Sequence, residues 1–361
     1  MRFEQLRLEN LRNIGTLELE PGPSLNLFLG ANGAGKTSIL EGAYLLSHAQ
    51  SFRTGVTDSL IRRGASQLSV AARLQRADDG PPAQLGLARD ATGWHARLRG
   101  TSAPSLGALL LECALVCFEP GSHALISGAS SERRRFLDWG VFHVEHDFLG
   151  QSRTYNRVLR QRNSALKQAA SDTELDAWDA ELILAALPVV QKRATYFQRF
   201  ETELIAVLDL LLPELGTAML TSSGGWPLEL PFAAALAQTR SRDRMRGHTT
   251  RGPHRADWGI RFAAAPLREH LSRGQEKLCA LACVLAQARV YAAATGEWPI
   301  IALDDFASEL DAAHQQLVVN LLCAASAQVL ISGIEQPACL HHVQASLRVF
   351  HVEHGSVRAL L

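Results

Sequence analysis

The sequence predicts an α/β protein in which a P-loop head carries an inserted, mostly helical second lobe. Three observations indicate this fold class. Strand-like and helix-like segments alternate at both ends of the chain. The middle of the chain is rich in Arg, Gln, Leu and Ala and has the pattern of long helices. A glycine-rich loop at residues 30–37 lies between a predicted strand and a predicted helix.

The N-terminal segment alternates between apolar and polar side chains, which is typical of strands. It predicts three strands, whose apolar positions are Phe3, Leu6 and Leu8, then Leu17 and Leu19, then Leu25, Leu27 and Leu29. The apolar residues between Lys36 and His48 recur on one helical face and predict an amphipathic helix. Short strands are predicted between residues 67 and 98.

The sequence pattern changes near Ser131, and from there to Leu215 the chain is predicted to be mostly helical. Breaks between helices are predicted near Gly150 and at Pro188. Strand and turn character returns between residues 224 and 262. A helix is predicted over residues 271–294 and a buried strand over residues 298–303. The closing strands are predicted at residues 329–331, 347–351 and 357–360. We therefore divide the chain into the first part of the head (1–122), the insert lobe (123–222) and the second part of the head (223–361).

Composition excludes some functions. The 36 basic and 36 acidic residues give a formal net charge of zero, so the chain does not coat nucleic acid by bulk charge, although local basic faces are possible. None of the six cysteines forms a C-x-x-C pair, which argues against a zinc ribbon and favours buried thiols. The N-terminus lacks the apolar core of a signal peptide, and the apolar stretch 278–288 is too short to span a bilayer. We expect a cytoplasmic protein without membrane contact.

The glycine-rich loop fits the phosphate-binding pattern G-x-x-x-x-G-K-[ST]. Its residues are Gly30, Ala31, Asn32, Gly33, Ala34, Gly35, Lys36 and Thr37. Glycines allow successive backbone N–H groups to point at phosphate oxygens, and the following helix adds the positive end of its dipole. The loop therefore predicts ATP binding, with Lys36 on the β- and γ-phosphates and Thr37 on Mg²⁺.

A second half of an ATP site is predicted near the C-terminus. Ile300–Leu303 is an apolar strand that ends in two carboxylates, Asp304 and Asp305, as in a Walker B element. We expect Asp304 to complete the Mg²⁺ shell. Asp305 is expected to orient or deprotonate the attacking water.

The segment Leu271-Ser272-Arg273-Gly274-Gln275 opens the helix before this strand. A helix N-terminus with a hydroxyl and a glycine suits a γ-phosphate, although Ser272 and Gln275 also fit a plain capping box. With both Walker motifs in order, the segment resembles the signature of the ATP-binding-cassette superfamily. The resemblance implies that Ser272, Gly274 and Gln275 contact the ATP held by a second copy. Ser308 to Asp311 resembles the D-loop, which couples the two sites of such a dimer.

Two positions depart from that superfamily. Ser332 and Gly333 follow the strand at 329–331, where the switch histidine is expected. Asp305 is shorter than the usual catalytic glutamate. Both departures predict slow hydrolysis, so that ATP serves mainly to hold the bound state together and not to supply energy through turnover.

Five further segments, which span essentially the whole chain, resemble the RecF family of bacterial DNA replication and repair proteins. They are Glu9-Asn10-Leu11-Arg12-Asn13, Ser51-Phe52-Arg53-Thr54, Glu132-Arg133-Arg134-Arg135-Phe136-Leu137-Asp138, Gly252-Pro253-His254-Arg255 and Leu303 to Asp311. The chain departs from the family at Phe118 to Gly121, where Pro-Glu-Asp is usual, and at Arg255-Ala256-Asp257, where consecutive acids are usual.

The family resemblance implies an ATP-dependent homodimer with weak, DNA-stimulated ATPase activity. It implies binding to single-stranded or gapped DNA. The implied partners are RecO and RecR, with which the protein would place the recombinase RecA at gaps and support the SOS response.

Weaker patterns leave alternatives open. Basic clusters at Arg62-Arg63, Arg133 to Arg135, Arg153/Arg157/Arg160/Arg162 and Arg242/Arg244/Arg246 are either DNA phosphate contacts or solvated helix surface. Phe-His-Val-Glu-His occurs at 142–146 and 350–354, and we interpret the repeat as coincidence because it lacks metal-site spacing. His254 is interpreted as structural.

Two other functions compete with this interpretation. One is an ATPase subunit that energises a transporter, which the long insert and the lack of a membrane segment oppose. The other is a DNA-end enzyme whose ATPase drives a nuclease partner. Co-purification of a nuclease would favour it.

Overall fold

The computed structural model describes residues 1–53, 57–77, 80–341, 343 and 345–360. The chain divides into two compact units. Unit 1 comprises Met1–Ser122 and Arg273–Leu361, and unit 2 comprises His123–Ser272. The chain therefore leaves unit 1 once and returns to it.

The helices and strands follow in chain order. The first part of unit 1 contains β1 (Arg2–Leu11), β2 (Ile14–Leu19), β3 (Leu25–Leu29), α1 (Lys36–His48), β4 (Leu68–Gln75), β5 (Ala83–Asp90), β6 (Gly93–Leu98), β7 (Thr101–Ser102), α2 (Leu106–Glu112) and β8 (Leu115–Phe118). Unit 2 contains α3 (Ala124–Ser127), α4 (Ser130–Val144), α5 (Phe148–Lys167), α6 (Asp172–Leu211), β9 (Ala218–Ser223), α7 (Phe232–Arg246) and β10 (Asp257–Phe262). The second part of unit 1 contains α8 (Arg273–Thr295), β11 (Ile300–Leu303), α9 (Phe306–Glu309), α10 (Ala312–Ala324), β12 (Val329–Gly333), β13 (Leu347–Glu353) and β14 (Ser356–Ala359).

The first sheet of unit 1 has the strand order β2-β1-β4-β5-β6-β7 and is antiparallel throughout. Its three N-terminal apolar residues, Phe3, Leu6 and Leu8, are fully buried. They are spaced by three and then two residues because the register shifts between Phe3 and Gln5, which restores the alternation after an irregularity.

The second sheet of unit 1 has the order β14-β13-β3-β12-β11-β8, and its central strands are parallel. All four residues of β11 are fully buried, as expected for a parallel strand that is covered on both faces. Because β3, β11 and β12 run in one direction, their carboxyl ends meet at one edge of the sheet. That edge carries the P-loop, Asp304 and Ser332.

Helix α1 begins at Lys36 and ends at His48, as predicted.

Helix α8 extends well beyond the apolar stretch 278–288, which by itself is too short to span a bilayer. It is long and apolar enough to cross a membrane by length and composition alone. However, 72% of its most apolar 18-residue window is buried within the protein, as in a core helix. Cys279 and Cys283 are buried in it, as is Cys113 elsewhere in unit 1.

Of the two predicted helix breaks in unit 2, the one near Gly150 is confirmed by the separation of α4 and α5 at 145–147, whereas the one at Pro188 is wrong, since Pro188 lies inside α6. A proline removes one helical donor and leaves the carbonyl four residues earlier without its usual partner. That residue, Leu184, is 64% exposed, so α6 runs along the surface of unit 2 at this point. The separation of α5 from α6 at 168–171 was not predicted.

The stretch predicted as strand and turn between residues 224 and 262 contains the 15-residue helix α7. Pro231 precedes the helix, and Gly247 ends it in the left-handed conformation (φ 64°). Proline and glycine are typical of turns, but here they are the helix's own boundaries.

Unit 2 extends to Ser272, whereas the sequence assigned residues 223–272 to the head. Contacts inside unit 2 explain the difference. Strand β10 pairs with β9, and Trp258 of β10 packs edge-on against Phe200 of α6. Asp257 accepts two hydrogen bonds from the guanidinium of Arg133 in α4, at 2.7 and 2.9 Å.

Candidate nucleotide-binding site

The P-loop follows β3 and turns the chain into α1 with two glycines in the left-handed region. Gly33 has φ 79°, and Gly35, which precedes the first helical residue, has φ 118°. A side chain at Gly30 would place its Cβ 2.2 Å from the carbonyl oxygen of Val352 in β13. The loop therefore requires glycine for conformation at two positions and for space at a third.

Lys36 is buried, and its ammonium is held by the loop itself. Its Nζ donates to the carbonyl oxygens of Gly30 at 2.8 Å and Ala31 at 3.0 Å. The carbonyl of Ala31 also accepts from the N–H of Ala34. The positive charge thus lies within the loop whose backbone N–H groups can bind an anion.

Polar groups at the carboxyl ends of the three parallel strands lie close together. Thr37 at the start of α1 lies near the carboxylate of Asp304 at the end of β11. Ser332 at the end of β12 donates to the same carboxylate at 2.6 Å and accepts from the N–H of Asp305 at 2.9 Å. Burial raises the pKa of Asp304, and Ser332 and Thr37 oppose that rise. Ser332, at the position where the superfamily resemblance predicts a switch histidine, therefore links the two predicted Walker B acids.

Asp305 has a left-handed backbone (φ 50°), which is uncommon for residues other than glycine and least costly for Asn and Asp. Its backbone conformation turns the chain out of β11, so that its side chain lines the cavity. Asp304 remains buried in the sheet edge. The two acids therefore differ in position: the carboxylate of Asp304 is buried in the sheet edge, and Asp305 faces the cavity.

The cavity beside the P-loop has a volume of about 280 Å³. Its lining residues are Arg12, Asn13, Asn32, Gly33, Gly35, Lys36, Thr37, Ser38, Arg53 and Asp305. Of the predicted P-loop residues, Gly30, Ala31 and Ala34 do not line it. Gly30 and Ala31 hold Lys36 through their carbonyls.

Four polar residues at this cavity were not predicted from the sequence, namely Arg12, Asn13, Ser38 and Arg53. All but Ser38 lie in segments that indicated only a family resemblance. Asn13 donates to the carbonyl of Gly33 at 3.0 Å and accepts from the hydroxyl of Ser38. It therefore fixes the P-loop from the β1–β2 turn.

Arg12 organises a second network beside the cavity. Its guanidinium binds the buried carboxylate of Glu41 in α1 through two hydrogen bonds, at 2.9 and 2.7 Å. Ser51 donates to the same carboxylate and accepts from the N–H of Arg53 at 2.9 Å. The network ties the Arg53 loop to α1 and leaves the cationic side chain of Arg53 at the cavity. Thr54, the last residue of that predicted segment, lies outside the described residues.

The residues predicted to form the signature and the D-loop lie at the starts of two helices, α8 and α10. Ser272 is the last residue of unit 2, and Gly274 and Gln275 lie in the first turn of α8. Neither Gly274 nor Gln275 lines the P-loop cavity. Asp311 caps α10 by accepting from the N–H of His314 at 3.0 Å, and this bond lowers its pKa.

The basic clusters in unit 2 differ in their partners. Arg162 is fully buried and bonds to Asp179, Asp243 and Thr249 at 2.5, 2.9 and 2.8 Å. Arg133 pairs with Asp257 as described above, and Arg135 pairs with Glu132. Further arginines with bonds inside unit 2 are Arg134 to Ala256, Arg244 to Asp172 and Arg242 to Thr250. The exposed cluster arginines of unit 2 for which no ion pair is described are Arg153, Arg157, Arg160 and Arg246, and Arg62 and Arg63 of unit 1 are exposed as well.

His254 has both ring nitrogens in hydrogen bonds within unit 2, to the Tyr155 hydroxyl at 2.7 Å and the Thr249 carbonyl at 3.0 Å. Burial lowers its pKa to about 4, which keeps the ring neutral. These contacts support the structural interpretation. The two Phe-His-Val-Glu-His copies lie at the end of α4 and in β13, so their geometries differ as predicted.

Comparison with known proteins gives consistent matches. A family described as "RecF/RecN/SMC N terminal domain" matches residues 122–358, and an "AAA domain" family matches residues 5–43. The protein named DNA replication and repair protein RecF from Xanthomonas euvesicatoria pv. vesicatoria (strain 85-10) is 48% identical over 361 residues, which cover 99% of this chain and 98% of the relative.

Two solved structures share the fold. One is described as the recombination mediator protein RecF with ATP in the RecFOR pathway; it has a TM-score of 0.89 at 23% identity and covers 99% of this chain and 97% of its own. The Smc head domain of Pyrococcus furiosus has a TM-score of 0.59 at 16% identity, over 99% of this chain and 95% of its own.

Proposed function

The chain belongs to the RecF family of DNA replication and repair proteins, and from that premise we propose that it binds ATP as a switch for dimerisation on DNA. The observation that carries the proposal is the cavity beside the P-loop, which Lys36 and Thr37 of the P-loop helix line together with Asp305, the residue at the end of the predicted Walker B segment. Thr37 also lies near enough to the buried Asp304 carboxylate to oppose the rise in its pKa. This arrangement supports a nucleoside triphosphate as the ligand, and a relative of the same fold is described with ATP.

The oxygen donors at this edge fit Mg²⁺. A threonine hydroxyl and a carboxylate that lie close together are the ligand types that Mg²⁺ takes alongside phosphate oxygens. Thr37 and Asp304 would hold the ion, which when bound neutralises phosphate charge. On ATP binding, the Lys36 ammonium would exchange its hydrogen bonds to the loop carbonyls for contacts with phosphate oxygens. Arg53 adds a second positive charge at the cavity.

Hydrolysis is proposed to be slow. Asp305 lines the cavity and would act as the base or orienting group for water, but its side chain is shorter than glutamate. Ser332 holds Asp304 and the N–H of Asp305 and has no titratable ring nitrogen to contact a γ-phosphate. A weak ATPase of this kind keeps the nucleotide-bound state populated for long periods.

Dimerisation would complete the site. Ser272, Gly274 and Gln275 of a second copy would contact the γ-phosphate, and Asp311 of the D-loop would couple the two sites. The fixed N-cap geometry of Asp311 supports a preformed D-loop. The cavity of one copy is lined without Gly274 or Gln275, which supports a contribution in trans.

The family assignment supports the remaining parts of the proposal. The protein would be cytoplasmic, bind single-stranded or gapped DNA and act with RecO and RecR to load RecA at gaps and support the SOS response. A structural relative's description places RecF in the RecFOR pathway.

Sedimentation velocity tests the switch. Wild-type protein should be monomeric without nucleotide and dimeric with ATP and Mg²⁺. Lys36→Arg should lose much of the ATP-dependent dimer, because a planar guanidinium does not fit the position from which the Lys36 ammonium donates to the two loop carbonyls. Ser272→Arg should bind ATP but stay monomeric. Equal dimer without ATP, or a dimer that survives Ser272→Arg, would contradict the proposal.

A gel-shift series tests DNA binding. Gapped, duplex and single-stranded DNA are compared with and without ATP. We expect ATP to strengthen binding to gapped DNA, and binding that ignores ATP would overturn the link between nucleotide and DNA.

A further inference from the structure

Helix α5 is the most basic element of unit 2. Its 20 residues contain five cations and no acid, in a chain whose formal net charge is zero. One of the five, Arg162, is buried and neutralised by Asp179 and Asp243. The other four are exposed: they are Arg153, Arg157, Arg160 and Lys167. None of these four forms an ion pair with the part of the chain that the structure describes.

Helical spacing places three of the four exposed cations and two asparagines in one line. Positions 153, 156, 160, 163 and 167 follow one another by three or four residues and so share a face. They are Arg153, Asn156, Arg160, Asn163 and Lys167, which we term the α5 stripe. Its three cations recur every seven residues, or roughly every 10 Å along the helix axis.

The stripe borders a groove of about 290 Å³. The groove is lined by Arg153, Asn156, Leu159, Arg160 and Asn163. Asn163 is oriented, because its Oδ1 accepts from the N–H and the hydroxyl of Thr249 at 2.8 and 2.7 Å. Its NH₂ group is therefore the half that can serve as a donor to a ligand.

The other basic clusters of unit 2 differ from this surface in their partners. Arg133, Arg193, Arg240 and Arg244 each pair with an acid within the unit. An arginine already bound to a carboxylate gains little from a phosphate, because one ion pair replaces another. The α5 stripe offers cations that have no such competitor on their own helix.

The geometry points to the α5 stripe as a contact surface for the phosphate backbone of DNA. Arginine and lysine charges with asparagine donors between them are the groups that bind phosphate oxygens without reading sequence. A protein partner is less suited to this face, since the centre of a protein interface is an apolar core from which lysine is depleted. The apolar residue of the groove, Leu159, is only 9% exposed. This inference rests on the proposed function, since it assigns a surface to the DNA binding proposed there.

The test compares two triple variants of the full chain by fluorescence anisotropy. The stripe variant is Arg153→Gln, Arg160→Gln and Lys167→Gln. The control removes three exposed cations of the same unit that lie on α6, α7 and β10, through Arg199→Gln, Arg246→Gln and Arg261→Gln. Each protein is titrated with labelled gapped, duplex and single-stranded DNA, with ATP and Mg²⁺, over a series of salt concentrations. Circular dichroism and thermal melting check that both variants fold.

The stripe variant should bind duplex DNA roughly 30-fold more weakly at moderate salt. The slope of log K against log salt should fall by about 2 to 3, since each phosphate contact contributes about 0.9. The control should change affinity less than about twofold. Loss on single-stranded DNA alone would also support the stripe and identify that strand as the ligand.

Equal losses of DNA affinity in both variants would mean that the total positive charge of unit 2, and not the stripe, determines binding. Unchanged DNA affinity in both variants would mean that the DNA contacts lie elsewhere. Either result overturns the assignment. Retained DNA binding with loss of a protein partner would also overturn it and make the stripe a protein-docking surface. Failure of wild-type protein to bind any DNA contradicts the proposed function itself, so the two failures are distinguishable.

Discussion

In unit 1, the P-loop is fixed mainly by its backbone, because Lys36 donates to loop carbonyls and Gly33 and Gly35 set the course of the loop, although Arg12 pairs with buried Glu41 beside the same cavity. In unit 2, arginines that bridge carboxylates do the corresponding work, with Arg162 as the most buried example. The first arrangement depends on conformation, and the second depends on charge. Mutation, pH and salt should therefore affect the two units differently.

The contrast is sharpest within α5 itself. Arg162 is fully buried and Arg160, two residues earlier, is exposed. The same residue type in the same helix therefore serves packing in one case and surface charge in the other. A basic cluster in a sequence does not reveal which of its members are available to a ligand.

The largest expected effect comes from Arg162→Met. The change leaves Asp179 and Asp243 without their shared cation, and removing one partner of a buried ion pair costs about 3–5 kcal/mol. Urea denaturation followed by tryptophan fluorescence measures it. Four of the six tryptophans lie in unit 2, at positions 139, 178, 226 and 258.

Arg160→Met is the matched control, with a change within about 0.5 kcal/mol because the site is exposed. If the two substitutions destabilise unit 2 equally, the contrast drawn within α5 is wrong.

The next effect is a dependence on pH that belongs to unit 2. The folded pKa of His254 is about 4, below its ordinary value of 6.5, chiefly because of burial. Between these values the unfolded chain binds more protons than the folded one, so stability falls as pH decreases from 6.5 toward 4. The loss can reach about 3 kcal/mol at 1.36 kcal/mol per unit of pKa.

Urea denaturation at a series of pH values tests this dependence. His254→Gln should flatten the stability profile between pH 4 and 6.5, whereas the exposed His146→Gln should leave its slope as in wild type. A slope that persists in His254→Gln would assign the dependence to other groups.

The sequence predicted unit 1 better than unit 2 for a physical reason. The P-loop and the strand before Asp304 are short, contiguous patterns whose geometry is set locally by glycine conformation and by burial of an apolar strand. The α1 bounds, Lys36 and His48, followed from periodicity alone. The role of Ser332 could be found only in three dimensions, because β12 and β11 are neighbours in the sheet but not in the chain.

Unit 2 was harder because its local signals compete with tertiary contacts. Pro188 is a helix breaker by propensity, yet α6 continues through it. The helix α7 was hidden between Pro231 and Gly247, which mark its boundaries. Arg12 and Arg53 were likewise missed in unit 1, since their segments carry no local pattern that indicates a cavity. For Arg12 the deciding partner, Glu41, lies 29 residues away in the sequence.

The smallest expected effect tests the conformational side of the comparison. Gly33 has φ 79°, and no atom lies within 4 Å of the position that a Cβ would occupy. Gly33→Ala therefore introduces no clash, and its cost is that of a left-handed alanine, about 1–2 kcal/mol. Because no charge is involved, the loss should be the same at pH 5 and pH 7 and at low and high salt. Hydrogen exchange of peptides from β3 and α1 measures it within unit 1.

Gly64→Ala is the matched control, since Gly64 also has a left-handed backbone (φ 89°) with open space around it but does not line the cavity. Both substitutions should destabilise unit 1 alike, and only Gly33→Ala should also weaken nucleotide binding, because it disturbs the backbone N–H groups of the P-loop. A loss in Gly33→Ala that grows as pH falls or as salt rises would show that charge stabilises this loop after all. The separation of the two units into a conformational and an electrostatic kind would then fail.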